Sequence, residues 1–308
     1  MDIVFMGTPE FAVPCLERLI SDGHNVKGVF TQPDKPKGRG HKMQFPPVKQ
    51  CAVDAGIPVF QPEKMRDGSA LSIIEDLNPE LIIVVAYGKI LPSEILNFPK
   101  YGCINMHASV LPAYRGAAPI QWSVLNGETV TGVTAMQMDI GLDTGDMLLT
   151  ETVEIGQDET AGELHDKLSV LGAKVMSETI DKLLKDELTP VKQDDALSNY
   201  APMLTKDLCP VNWNDTADKV HNKVRGLYPW PVAITRYNDK TVKIHQTAIA
   251  EDVCGEPGEV IQSDKKLIVC CGCGTSVEIV KLQLEGKKAM NASDFLRGNP
   301  IEKGTILK

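Results

Sequence analysis

The chain of 308 residues is 43% hydrophobic and 24% charged, a globular balance that excludes collagen-like, disordered and coiled-coil proteins. Its length favours two domains over one. The net charge of −9 argues against a general nucleic-acid coat. That charge is uneven: residues 208–308 carry 14 basic and 12 acidic side chains, while residues 146–200 carry 5 and 13. The last third is therefore the part suited to an anionic partner.

In chain order, Ile3–Met6 reads as a buried strand and Phe11–Leu19 as a helix, followed by a second strand at Val26–Phe30. No charged stretch leading into an apolar run precedes the first strand, and no apolar run has membrane-spanning length. The eight cysteines are accordingly expected as reduced thiols in a cytoplasmic protein. Leu81–Ala86 is continuously apolar, as a parallel strand covered on both faces would be. Cys103–Met106 and Val133–Met138 read as further strands. This alternation predicts an α/β domain with a mostly parallel sheet. Thr160–Lys185 reads as one long helix, and the polar stretch after it as a linker. Beyond residue 208 comes a short helix, Thr216–Val224. Five short strands follow: Ala233–Tyr237, Val242–Ala250, Gly258–Gln262, Lys266–Cys271 and Ser276–Gln283. They predict a small closed barrel. The domain expectation is residues 1–189, a linker at 190–207, and 208–308.

Two loops carry the candidate chemistry. Asn105 and His107 sit two apart at the end of a strand, so both point to one face. The asparagine offers an amide donor and the histidine a group that titrates near neutrality. The Gly-rich loop Asp139–Asp146 also follows a strand, and Asp143 could orient and charge-stabilise a histidine. Gly7-Thr8-Pro9-Glu10 occupies the place of a dinucleotide fingerprint, but G-x-G-x-x-G is absent, so no nicotinamide site is expected. Cys270, Cys271 and Cys273 lack the second ligand pair of a zinc site, and no metal is expected. Gln32–Lys49 is a basic arm: Lys35, Lys37, Arg39, His41, Lys42 and Lys49 face one acid, Asp34.

The pattern Asn105-x-His107-x-Ser109-x-Leu111-Pro112, with Asp143 downstream, resembles folate-dependent formyltransferases. Within them it is most similar to members acting on methionyl-tRNA. Phe5–Ala12, Tyr114–Pro119 (YRGAAP), Arg225-Gly226-Leu227, Pro229-Trp230-Pro231 and Glu285–Gly298 carry the narrower likeness, which spans the whole chain. The resemblance implies a Rossmann-like domain, a linker and an OB-like, tRNA-binding barrel. It implies transfer of the formyl group of 10-formyltetrahydrofolate to the amino group of initiator methionyl-tRNA, by a monomer with no obligate protein partner. Asn105, His107 and Asp143 would be catalytic, with His107 either taking the amine proton or stabilising the oxyanion as imidazolium. Ser109, Val110, Leu111 and Pro112 would contact folate, as would Tyr87, Gly88, Ile90, Leu91 and Asp139; Val110 stands where leucine is commoner. Lys35, Lys37, Arg39, Lys42 and Lys206 would contact tRNA. The competing readings are a formyltransferase or hydrolase for a small substrate, and a tRNA-binding protein without catalysis.

Overall fold

The computed structural model describes residues 1–37, 42–252 and 255–308. The chain divides into two compact units. One holds residues 1–116, 131–153 and 165–200; the other holds 117–130, 154–164 and 201–308.

In the first unit, β1 (Asp2–Gly7), β2 (Asn25–Phe30), β5 (Val59–Phe60), β6 (Leu81–Val85), β7 (Cys103–His107), β9 (Val130–Gln137) and β10 (Met147–Glu154) form one sheet. Its order is β10-β9-β7-β6-β1-β2-β5. Outside it, β3 (Lys35–Lys37) and β4 (Lys42–Gln44) pair as a separate antiparallel hairpin. The neighbours β1–β2, β1–β6, β2–β5 and β6–β7 are parallel. All five residues of β6 are buried, which is why the LIIVV run carries no alternation.

The parallel pattern stops at β7. There β9 is antiparallel, with His107 opposite Thr134 and Ile104 opposite Gln137. Residues 108–129 thus leave and re-enter the sheet at the same end, and β9 finishes beside the start of β7. The loop after β9 leaves from that end, where the Met138 N–H bonds Cys103 O at 2.8 Å. Helix α1 (Val13–Ser21) follows a single 3-10 turn, and α2 (Pro47–Asp54) and α3 (Ser69–Leu77) lie between the early strands. On one face of β7, Met106 meets α6 (Ala161–Leu184) at Gly172, where a Cβ would stand 3.1 Å from the Met106 Cγ. Strand alternation then turns Asn105 and His107 away from that helix.

The second unit holds β12 (Ala233–Tyr237), β13 (Lys240–Ile249), β14 (Val260–Ser263), β15 (Leu267–Cys270) and β16 (Ser276–Leu284), in the order β12-β13-β16-β15-β14. Every neighbouring pair is antiparallel. The sequence-expected strands match these within two residues. The unit's core gathers Trp213, Val220, Val224, Leu227, Ile244, Ile279 and Phe295.

Two earlier segments join this unit without any sequence signal. Helix α5 (Pro119–Leu125) packs on α7 (Ala217–Gly226), where a Cβ at Gly226 would stand 2.8 Å from Leu125 Cγ. The turn at 156–159 is gripped by two buried side chains of α7: Arg225 donates to Glu159 O at 3.0 Å, and His221 Nε2 to Gln157 O at 3.2 Å. The start of α6 is a capping box, with Thr160 and Glu163 bonding each other's backbone N–H. Among the described residues no helix is long and apolar enough to cross a membrane.

Candidate active site

Asn105 and His107 stand one alternation apart on β7. His107 is 5% exposed, whereas Asn105 is half-buried. Among the described residues no hydrogen bond engages the Asn105 side-chain amide, so it is free to donate to a bound group. The His107 Nε2 lies 2.9 Å from the Tyr114 carbonyl oxygen. A carbonyl only accepts, so Nε2 carries the proton and donates it. That leaves Nδ1 as the basic atom of the neutral ring, and it faces Asp143 Oδ2 at 3.7 Å.

Asp143 reaches this place although its loop leaves from the other end of β7. Residues 139–143 run back toward the end of the strand. Asp143 sits at φ +54°, a left-handed backbone that costs a non-glycine residue about 1–3 kcal/mol and persists only where surroundings enforce it. Its Oδ2 accepts the Gly116 N–H at 2.9 Å. Earlier in the loop, Asp139 Oδ1 accepts from Gly141 N at 3.0 Å and from Thr144 Oγ1 at 2.7 Å. Asp139 is exposed and organises the turn itself. Ile140 and Leu142 beside it are 86% and 56% exposed, apolar surface standing in solvent.

The turn after β7 is tightly tied. Buried Ser109 donates through Oγ to Ala113 O at 2.6 Å, and its carbonyl accepts from Thr134 Oγ1 at 2.8 Å. Leu111 is buried, while Val110 and Pro112 are half-buried. The segment after β6 divides. Tyr87 lies in the sheet's core with Leu91, and its hydroxyl donates to Met65 Sδ at 3.3 Å. Burial pushes that hydroxyl up to about 12. The Tyr87 carbonyl accepts from Thr8 Oγ1 and Gln32 Nε2. The Tyr87 ring thus packs inward, whereas Gly88 and Ile90 are exposed.

The formyl transferase family model matches residues 1–180, and the formyl transferase C-terminal domain matches residues 203–300. The chain belongs to the formyl transferase family. It is 53% identical to a methionyl-tRNA formyltransferase of Alkaliphilus oremlandii and 52% identical to one of Geobacter metallireducens. Both alignments cover 100% of this chain, with 99% and 98% of the relatives. A solved N-formyltransferase from Helicobacter canadensis shares the fold, with a TM-score of 0.69 and 20% identity over 90% of this chain and 98% of that one.

In this formyltransferase the basic arm is rooted by an ion pair. Lys49 Nζ donates to Asp34 at 2.8 and 2.7 Å and to Gln61 Oε1 at 2.8 Å. Gln61 Nε2 donates in turn to Asp34 Oδ1 at 2.8 Å and to Gln32 O at 2.8 Å. Lys49 and then Gln61 hold the Asp34 carboxyl below the usual carboxylate range. Lys49, counted in the sequence as one charge of a basic surface, is thus engaged within the protein. Lys35 is exposed on the hairpin and Lys206 is exposed at the start of a short 3-10 turn in the second unit. Arg39 and His41 lie outside the described residues, as do the side chains of Lys37 and Lys42. The sequence reading missed Tyr114 and Gly116, whose backbones contact His107 and Asp143. Their only sequence trace was membership of the YRGAAP run. Of the three clustered thiols, Cys270 and Cys271 are buried and Cys273 is exposed. Among the described residues no group of His, Cys, Asp and Glu could hold a metal ion.

Proposed function

We propose that this enzyme transfers the formyl group of 10-formyltetrahydrofolate to the free amino group of initiator methionyl-tRNA, for translation initiation. One observation carries the reading: an unengaged Asn105 amide lies one alternation from a His107 whose basic Nδ1 faces Asp143. In the reaction the amine attacks the formyl carbon and an oxyanion develops. A C–N bond then forms as the bond to the folate nitrogen breaks. Asn105 donates to the oxyanion. His107 receives the amine proton at Nδ1, and Asp143 stabilises the imidazolium so formed. No covalent enzyme intermediate and no metal enter.

Folate is assigned to Ser109, Val110, Leu111, Pro112, Tyr87, Gly88, Ile90, Leu91 and Asp139. Exposed Ile90, Ile140 and Leu142 suit the flat apolar slot it needs. With its ring in the core, Tyr87 is assigned a supporting part beneath the exposed Gly88 and Ile90. Residues 1–189 are assigned to catalysis and 208–308 to tRNA, with 190–207 between them. The antiparallel sheet of the second unit supports an OB-like barrel. In this reading the enzyme acts as a monomer in the cytoplasm.

Labelled 10-formyltetrahydrofolate incubated with charged initiator tRNA should yield labelled formylmethionine after deacylation. Release of formate alone, or transfer only to a small amine, would overturn the assignment of substrate.

Contacts with tRNA are assigned to Lys35, Lys37, Arg39, Lys42 and Lys206. Two expected results separate their roles. Arg39→Ala should raise the tRNA KM and flatten its salt dependence, since each lost phosphate contact removes a slope of roughly 0.7–0.9. Arg39→Lys should recover only part, because lysine keeps charge without the planar fork. Lys49→Met acts differently, by loosening the arm's root and leaving the Asp34 charge half-buried without its cation. It should raise the tRNA KM about 3- to 10-fold, equivalent to roughly 1 kcal/mol, with an unchanged salt slope. Steady-state kinetics at two salt concentrations read both. A flattened slope for Lys49→Met would make Lys49 a direct phosphate contact.

A further inference from the structure

We propose that Gln193 and Asn199 are positioning residues for His107, each holding one of the two protein groups that face its ring nitrogens. The proposal rests on the formyl-transfer reading above. Both residues belong to the polar stretch after α6, which the sequence marks only as a linker.

Residues 191–199 are stapled to the first unit along their length. Met147 and Val191 exchange both backbone hydrogen bonds at 2.8 Å. Gln193 then reaches the catalytic loop, where its Nε2 donates to Asp143 O at 2.9 Å and to Gly145 O at 2.7 Å. Its Oε1 accepts from Arg115 Nε at 3.0 Å, and Arg115 also donates to Asp195 at 2.8 Å. This set fixes the amide's orientation. Flipped, its oxygen would face two carbonyl oxygens and its NH₂ a guanidinium. At the other end, Asn199 Oδ1 accepts the Tyr114 N–H, and the Asn199 carbonyl accepts the Arg115 N–H at 3.1 Å.

Consequently both partners of His107 are held from the same segment. Gln193 grips the backbone of Asp143, whose left-handed φ of +54° needs an external constraint. Asn199 grips Tyr114, at φ +59°, whose carbonyl takes the His107 Nε2 proton. The 3.7 Å between Nδ1 and Asp143 is longer than a hydrogen bond, so the ion pair formed during reaction depends on where this loop is held. Among the described residues Asp143 is the one carboxylate within 4 Å of a His107 ring nitrogen. The Arg115 cation nearby is tied to Gln193 and Asp195.

Four variants test this, together with the ¹⁵N NMR signals of the His107 ring at one fixed pH. Gln193→Met fills the same volume without donating. It should lower kcat about 10- to 100-fold, the scale of an ångström-sized misplacement. It should also change the ¹⁵N resonances of the His107 ring at a single fixed pH, because the carboxylate that faces Nδ1 at 3.7 Å has moved. Gln193→Ala should do the same. Asn199→Asp keeps the acceptor and should stay within about threefold of wild type, whereas Asn199→Ala should lose about tenfold. Wild-type kcat and unchanged His107 ring signals in Gln193→Met would overturn the role of Gln193. Asn199→Asp as slow as Asn199→Ala would overturn that of Asn199. The ring signals need no turnover, so they decide the positioning role even if wild-type protein failed to formylate charged tRNA, a failure that would strike the substrate reading instead.

Discussion

Asn105→Ala, His107→Ala and Asp143→Ala are each expected to slow formyl transfer by about 10²–10⁴-fold, the range for oxyanion donors and acid–base groups. Asn105→Ala removes a donor that, among the described residues, no other group uses, so its whole effect should fall on the transition state. His107→Ala removes the group proposed to accept the amine proton. Asp143→Ala removes the counter-charge 3.7 Å from Nδ1 and the acceptor for the Gly116 N–H. Effects within such a unit are not additive, so a double variant of His107 and Asp143 should be scarcely worse than the poorer single one. Single-turnover rates with saturating folate and tRNA measure the loss. Near-normal turnover in any single variant would take that residue out of the mechanism.

Gly145→Ala should be nearly as damaging, for a steric reason. A Cβ there would lie 1.7 Å from Gln137 O and 2.9 Å from its carbonyl carbon. Both are backbone atoms at the end of β9, where the Gln137 N–H bonds Asp146 O at 2.9 Å, so no side chain can rotate aside. The loop must shift instead, carrying Asp143 with it. A fall in kcat of about 10²-fold is expected, with a lower thermal midpoint. Gly298→Ala is the matching control: nothing lies within 4 Å of its Cβ, and its rate should stay within about twofold of wild type. Wild-type turnover in Gly145→Ala would mean that the loop tolerates displacement, and that Asp143 is not held by this packing.

What the amino-acid sequence determined by itself was whatever depends on near neighbours. The unbroken LIIVV run marks β6 as covered on both faces, and the spacing of Asn105 and His107 places them on one side of β7. The Thr160–Lys185 periodicity returns as α6 at Ala161–Leu184, and the short apolar segments beyond residue 230 return as β12 to β16. Turn glycines, strand alternation and helical spacing are local constraints, legible within a window of a few residues.

Only the tertiary structure decided which distant groups meet. Asp143 comes to His107 because β9 runs antiparallel and the following loop turns back, a path that no residue between 108 and 142 spells out. Tyr87 turns its ring into the core while its neighbours stay exposed. Lys49 spends its charge on Asp34 and Gln61 rather than on the surface. Gln193 meets Asp143 across 50 residues, and Asn199 meets Tyr114 across 85. Residues 117–130 and 154–164 join the second unit, although they lie in sequence among the strands of the first. Such pairings are set by how the whole chain closes on itself. A polar residue in an aperiodic stretch looks the same whether it faces water or holds a catalytic loop.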